Sequence, residues 1–493
     1  MFQRSSGILL HISSLPGEYG IGDFGKEAYR FVDFLEEAGV KNWQILPLGI
    51  TGYGDSPYQS FSAFAGNPYF IDLDKLISIK LITKEEVMEA KLNSNPEKVD
   101  YGHLYDKKMK LLRLAYKRGK DLLKQELDTF YEREYTWLQE FSLYMAIKEH
   151  HGQKSWLDWE PEFRIWQSEK VKNFEKENGD AMGFWIFTQY FFDKQWMTLK
   201  RYANSKNIEI VGDLPVYVSD DSSDVWKNPE LYKLDEERKP ITVAGVPPDA
   251  FSSTGQLWGN PIYDWENMRQ NGYQWWTRRI AHSFKLYDVL RIDHFRGFES
   301  YWEVPYGEDT AMFGAWTKGP GIELFHKIKE ELGELKIIAE DLGYLTEDVE
   351  KLIEATGYPG MKVLQFAFDP REESDYLPHN YTKNSVVYTG THDNHTVLGW
   401  AENIPKEELL YAIEYLKLDD VEGYPWGMIR GSWSSVSDLA IAPMQEFLNL
   451  GDEARMNIPS TLGGNWEWRV EKHHLTKKLA KRIHRLNDTY RRL

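Results

Sequence analysis

Residues 287–297 read Tyr287-Asp-Val-Leu-Arg-Ile-Asp-His-Phe-Arg-Gly297. The stretch opens as an apolar run with β-branched residues, the pattern of a buried strand. It then turns polar at once, placing Arg291, Asp293, His294 and Arg296 at its C-terminal end. Side chains alternate along a strand, so Arg291 and Asp293 point to one face. A guanidinium beside a carboxylate favours the charged form, and Asp293 is therefore expected to stay ionised near neutral pH. Taken alone, a strand-end aspartate is better explained as a helix cap or half of a structural ion pair. It is not alone.

The pattern recurs in Ile208-Glu-Ile-Val-Gly-Asp213, in Lys336-Ile-Ile-Ala-Glu-Asp341 and in Ser385-Val-Val-Tyr-Thr-Gly-Thr-His-Asp-Asn394. Each is an apolar strand that ends in a carboxylate, and helical patterns lie between several of them. In a parallel barrel such ends share one face, where active sites sit. Paired carboxylates without a metal motif point to glycoside chemistry, in which one acid attacks the sugar and another moves the proton. With Asp293, Glu340 and Asp393 in one cleft, not all three can ionise freely. Arg291 beside Asp293 makes Glu340 the expected proton carrier. His294 and His392 lack a complete metal-ligand set and are read as donors to hydroxyls, with a buried structural histidine as the alternative.

The 493 residues include no cysteine, which excludes disulfides and thiolate chemistry. A formal charge of −18 argues against nucleic acid or an anionic membrane as partner, and leaves a neutral glycan open. No apolar run approaches the roughly 20 residues of a membrane span. The start, Met1-Phe-Gln-Arg-Ser-Ser6, lacks a signal-peptide pattern, so a soluble cytoplasmic protein is expected. Neither a cofactor nor a metal is expected.

Along the chain, Gly7–Ile12 and Trp43–Pro47 read as strands around a helix at Phe24–Ala38. The Gly-, Ser- and Tyr-rich loop that follows contains Ser56 and Tyr58. Residues of about 74–206 are mainly helical and charged, more than one crossover needs, and read as a helical insertion. A second insertion, about 218–274, carries Pro247-Pro-Asp-Ala-Phe251 and Gly255-Gln-Leu-Trp-Gly259 and reads as a lid over the site. Met361–Phe368 and Leu439–Pro443 are further strands, and Lys406–Leu416 and His473–Arg492 are helical. Asn465, in a loop, is read either as holding a turn or as touching substrate. The expected fold is a TIM (β/α)8 barrel spanning 1–493, with both insertions around its C-terminal face and no separate C-terminal β-domain.

The chain resembles the amylomaltase-type 4-α-glucanotransferases, family 77 of the glycoside hydrolases in the wider α-amylase clan. The resemblance runs nearly end to end. It is carried by Leu15-Pro-Gly-Glu-Tyr-Gly-Ile-Gly-Asp-Phe-Gly25, Gly52-Tyr-Gly-Asp-Ser-Pro-Tyr-Gln-Ser60, Gly212-Asp-Leu-Pro-Val-Tyr-Val218, Gly245-Val-Pro-Pro-Asp-Ala-Phe-Ser252, Gly255–Gly259, the Asp293 stretch, Ala339-Glu-Asp-Leu-Gly343, Gly390-Thr-His-Asp-Asn-His395 and Arg455-Met-Asn-Ile-Pro-Ser-Thr-Leu-Gly-Gly-Asn-Trp-Glu-Trp468. The resemblance implies transfer of α-1,4-glucan segments, with maltooligosaccharides or amylose as donor and acceptor. It assigns Asp293 as nucleophile and Glu340 as acid and base, roles the residues themselves suggest. Asp393 is then expected to bind sugar hydroxyls and hold the distorted ring. Tyr58 would lie against the sugar at the cleavage point with Ser56 nearby. Trp258 and Phe251 would line acceptor subsites, and Asp249 and Gln256 would bond sugar hydroxyls. Asp213, Arg291, His294, His392 and Asn465 complete the expected substrate-binding set. The alternatives are an α-amylase-like hydrolase, which shares the barrel motifs, and a glycan-binding scaffold that has lost catalysis.

Overall fold

The computed structural model describes residues 2–52, 54–248, 252–343 and 345–493. Eight strands close a parallel barrel: β1 (Ser5–Leu9), β2 (Asn42–Gln44), β3 (Glu209–Leu214), β4 (Val289–Ile292), β5 (Ile337–Ala339), β6 (Gly360–Val363), β7 (Ser385–Tyr388) and β8 (Leu439–Pro443). Neighbours in sequence are neighbours in the barrel, and β1 pairs with β8 to close it. Ile8, Trp43, Ile210, Leu290, Ile338, Val387 and Ile441 are all buried, as expected for strands covered on both faces. The barrel is therefore the TIM (β/α)8 architecture, and among the described residues no strand follows β8. The apolar run at Met361–Phe368 is strand only as far as Val363; Leu364–Phe366 wind into a 3₁₀ turn.

Between β2 and β3 the described residues form six α-helices, among them Tyr101–Gly119, Lys124–His150 and Gly179–Ser205. The last two pack through aromatic contacts such as Phe141 on Trp185, with ring centroids 5.9 Å apart. Helix Gly179–Ser205 also steadies the long loop after β2 by two amide pairs. Gln189 accepts from the Gly66 N–H at 2.7 Å and donates to its carbonyl at 2.8 Å. Gln195 does the same with Asp72, at 2.7 and 3.3 Å. Four hydrogen bonds thus fix the far end of the loop that carries Ser56 and Tyr58.

The region from 218 to 274, expected as loop, contains two strands, Thr242–Val246 and Gln256–Pro261. Together with Ser300–Pro305 and Ala315–Lys318 they form a four-stranded antiparallel sheet. Val243, Val304 and Ala311, with Trp302 against them, give this sheet a small core of its own. Pro247, Pro248 and Gly255, which read as loop, flank these short strands, whereas Gly259 lies within the second.

The two ends of the chain meet beside β8. Arg492 is buried and donates to the carbonyls of Ser5, Trp433, Ser435, Ser437 and Asp438 at 2.9–3.2 Å. Arg4 reaches three of the same carbonyls, those of Trp433, Ser435 and Ser437. Two guanidiniums thereby satisfy the backbone groups that the loop before β8 leaves unpaired.

Candidate active site

Strand register builds one half of the site. Asp213 and Arg291 are direct partners in the β3–β4 ladder, so their side chains leave the barrel together. Gly212 precedes Asp213 because the Tyr287 ring lies where a side chain would begin, 2.2 Å from an added Cβ. Arg291 Nη1 donates to both Asp213 oxygens, at 2.8 and 2.7 Å, and to Asp293 Oδ1 at 3.0 Å. Alternation along the strand does put Arg291 and Asp293 on one face. The Tyr58 hydroxyl donates to Asp213 Oδ2 at 2.8 Å. Asp213 and Arg291 are buried, whereas Asp293 keeps 30 % of its side chain open.

Just past Asp293 the chain turns through His294, whose φ of +50° is a left-handed conformation that costs a side chain of this kind about 1 kcal/mol. Glu340 holds the turn. Its carboxylate accepts from the His294 N–H at 2.6 Å and the Leu342 N–H at 3.0 Å, and its carbonyl accepts from the Phe295 N–H at 2.9 Å. Glu340 is thus anchored to the strand-end turn that carries the residue after Asp293. Buried against Arg296, His294 is pushed down to about 3 and is neutral. Its Nε2 has no hydrogen-bond partner among the described residues.

The electrostatics differ from the sequence expectation at one point. Asp293 is pushed up to about 8 instead of staying a free carboxylate. Burial is the largest cause; Arg291 opposes it, and Asp213, Glu340 and Asp393 add to it. Glu340 is also held above its ordinary value, first by burial, against Arg291 and its two backbone donors. Burial leads, and Arg291 offsets only part of it, because its charge is shared with Asp213, which takes two of its three contacts. Both carboxyls are thus biased toward their protonated forms.

The second half of the site comes from loops. Asp393, on the turn after β7, keeps 44 % of its side chain exposed. Its Oδ1 accepts from Asn457 Nδ2 at 2.6 Å and lies 3.4 Å from His392 Nε2. His392 stacks on Tyr58 at 5.2 Å and 13°, and Trp466 leans on both rings at 5.8 Å. Tyr58 therefore joins the halves, with its hydroxyl on Asp213 and its ring on His392. Ser56 Oγ accepts from the Tyr58 N–H at 3.3 Å and shapes that turn.

Trp258, half-buried on the antiparallel sheet, meets the His294 ring edge-on at 4.8 Å, and its Nε1 donates to Gln256 Oε1 at 3.2 Å. Both residues thus stand beside the Asp293 turn. Asp249 and Phe251 lie outside the described residues. Asn465 uses both ends of its amide within its own loop: Oδ1 accepts from the Ile458 N–H at 2.9 Å, and Nδ2 donates to Thr461. Of the two readings of Asn465, that geometry is the turn-holding one. Sequence reasoning gave no role to Asn457, Arg455 or Trp466, although all three lie in the quoted 455–468 motif. Arg455 and Asn457 reach Asp393, 62 and 64 positions earlier, and Trp466 reaches further back to His392 and Tyr58, which no local pattern reveals.

A model of the 4-alpha-glucanotransferase family matches residues 10–476. A 4-alpha-glucanotransferase of Clostridium butyricum is 54% identical over 485 residues, covering 98% of this chain and 100% of that relative. One from Thermus thermophilus is 45% identical over 502 residues, covering 99% of each chain. The solved amylomaltase of Streptococcus agalactiae, in complex with acarbose, superposes with a TM-score of 0.97 at 45% identity, over 99% of this chain and 100% of that one. Length and fold agree across these comparisons: the chain belongs to the 4-alpha-glucanotransferase family and is an enzyme of that class.

Proposed function

We propose that the enzyme transfers α-1,4-glucan segments by a retaining double displacement. Asp293 attacks the anomeric carbon while Glu340 gives its proton to the departing glycosidic oxygen, which leaves as the 4-hydroxyl of the released glucan. The bond from the anomeric carbon to Asp293 then holds the donor segment. Glu340, now a carboxylate, takes the proton of an incoming glucan's 4-hydroxyl as that oxygen displaces Asp293. One α-1,4 bond is broken and one is made, so no water is consumed.

The observation that carries this reading is the shared Arg291. One guanidinium is divided between Asp213 and Asp293, and the Asp293 and Glu340 carboxyls are both raised; this supports the pairing of one carboxylate with one carboxylic acid that double displacement needs. Asp293 makes the direct contact with Arg291 and faces the cleft, which favours it as the charged partner. Glu340 keeps the proton. Asp393 and the neutral His294 and His392 bind sugar hydroxyls. The Tyr58 ring lies against the sugar at the cleavage point, and Trp258 with Gln256 receives the acceptor.

Maltotriose alone tests the proposal. Chain lengths are followed together with total reducing ends. Transfer spreads the lengths into glucose and longer maltooligosaccharides while reducing ends stay nearly constant. Steadily growing reducing ends without longer products would make the enzyme a hydrolase and overturn the second half of the scheme.

A further inference from the structure

The Arg455-Met-Asn457 part of the family motif has no role in the scheme above. Asp393 has the opposite problem: it has a role, but its own strand does nothing to fix it. The residue sits on a turn with nearly half its side chain open, where a carboxylate is free to change rotamer. The segment after β8 supplies the missing restraint. Asn457 donates from its side chain to Asp393 Oδ1 at 2.6 Å and from its backbone to the His392 carbonyl at 3.1 Å. Arg455 Nη2 donates to the Asp393 carbonyl at 2.7 Å, and its Nε donates to the Asn457 carbonyl at 2.9 Å. Residues 392–393 and 455–457 are therefore joined at both backbone and side chain. The grip continues upstream. Asp452 accepts from the Thr396 N–H at 3.1 Å and pairs with His395 at 2.5 Å, and Glu446 accepts from the Val397 N–H at 3.0 and 3.1 Å.

We infer that Asn457 and Arg455 are positioning residues for Asp393, acting through that carboxylate and not on the glucan; this rests on the hydroxyl-binding role given to Asp393 above. The chemistry of the two donors is matched to the task. With Asn457 and His392 both on Oδ1, Oδ2 has no donor among the described residues and is the oxygen left for a sugar hydroxyl. Asn457 holds the carboxylate without neutralising it. The cation of Arg455 is directed to the Asp393 backbone carbonyl and makes no hydrogen bond to its carboxylate among the described residues. The charge of that carboxylate is felt at Asp293, where Asp393 is one of the groups favouring the protonated form.

The test compares Asn457→Ala, Asn457→Asp and Asp393→Asn, with maltotriose as substrate and thermal unfolding as a check on the fold. Loss of the restraint in Asn457→Ala is expected to lower kcat by about 10- to 100-fold with KM little changed, the cost of a misplaced group. Asn457→Asp replaces the donor by a second carboxylate at the same distance, and the contact can re-form only when the pair holds a proton. Its activity relative to wild type should therefore climb as pH falls from about 8 to about 5, while the ratio for Asn457→Ala stays flat. The other titratable groups around Asp393 are Tyr58, Asp293, His392 and Arg455; all are common to these proteins and cancel in the ratio. Wild-type kcat in Asn457→Ala, with Asp393→Asn inactive, would overturn the assignment. So would a flat ratio for Asn457→Asp with a lowered melting temperature, which is the mark of a purely structural residue. Full activity in Asp393→Asn would instead remove the role of Asp393 itself, and the assignment with it.

Discussion

Asp213, Arg291, Asp293 and Glu340 stand at the ends of β3, β4 and β5, whereas His392, Asp393, Arg455 and Asn457 come from the turn beyond β7 and the segment after β8. In the first group the barrel's own ladder sets the spacing, and the low-dielectric surroundings make each charge felt by the others. In the second group hydrogen bonds between loops set the spacing, and the key carboxylate stays open. The difference teaches where each kind of chemistry belongs. Raising a carboxyl needs burial and fixed distances, which strands supply. Recognition of sugar hydroxyls needs access, which loops supply at the cost of extra residues to steady them.

The contrast is most severely tested by Asp293→Asn. An amide keeps the shape and the Arg291 contact but cannot attack the sugar, so kcat should fall by about 10⁴-fold or more with the fold unchanged by circular dichroism. Residual activity of a few per cent, in a preparation free of deamidated enzyme, would remove Asp293 from the nucleophile role. Asp213→Asn asks whether the strand group works as one electrostatic unit. Without the Asp213 charge, Arg291 belongs to Asp293 alone, and the Asp293 carboxyl should ionise about one to three pH units lower. Since the attacking form is the ionised one, the acid limb of the kcat/KM profile should move to lower pH; a limb that stays in place would mean that Asp213 does not tune Asp293. Tyr58→Phe probes the join between the groups. It keeps the stack on His392 and loses only the bond to Asp213, which is worth about 1 kcal/mol, or roughly fivefold in kcat/KM. A loss near that of Asp293→Asn would show that the two halves are not separable.

The same division explains what the sequence reveals. The Arg291–Asp293 pairing is legible because alternation along a strand is local, and the apolar runs that end in Asp213, Glu340 and His392-Asp393 mark their barrel strands. The helix at Lys406–Leu416 and the strands Ser385–Tyr388 and Leu439–Pro443 are found with the bounds expected. The antiparallel sheet is not legible: Thr242–Val246 and Ala315–Lys318 are short, and Thr242–Val246 pairs with the distant Ser300–Pro305. The raised Asp293 carboxyl escapes for the same reason. Burial raises it most, and the claim of Asp213 on Arg291, 78 residues away, adds to that; both are visible only once β3 and β4 are side by side. Asn457 is 64 residues from the carboxylate it holds.

The meeting of both chain ends beside β8 has a consequence for how the protein is made. The barrel closes only when β1 pairs with β8, and the buried Arg492 bonds the Ser5 carbonyl across 487 residues. At about 5–20 residues per second, β1 waits on the order of half a minute or more for its partner. Through that interval the nascent sheet carries an open edge at each end, the state in which strands from different chains can pair by mistake. Barrel closure therefore waits on contacts that span as many as 487 residues, and the yield of folded enzyme should depend on what shields those two edges during translation.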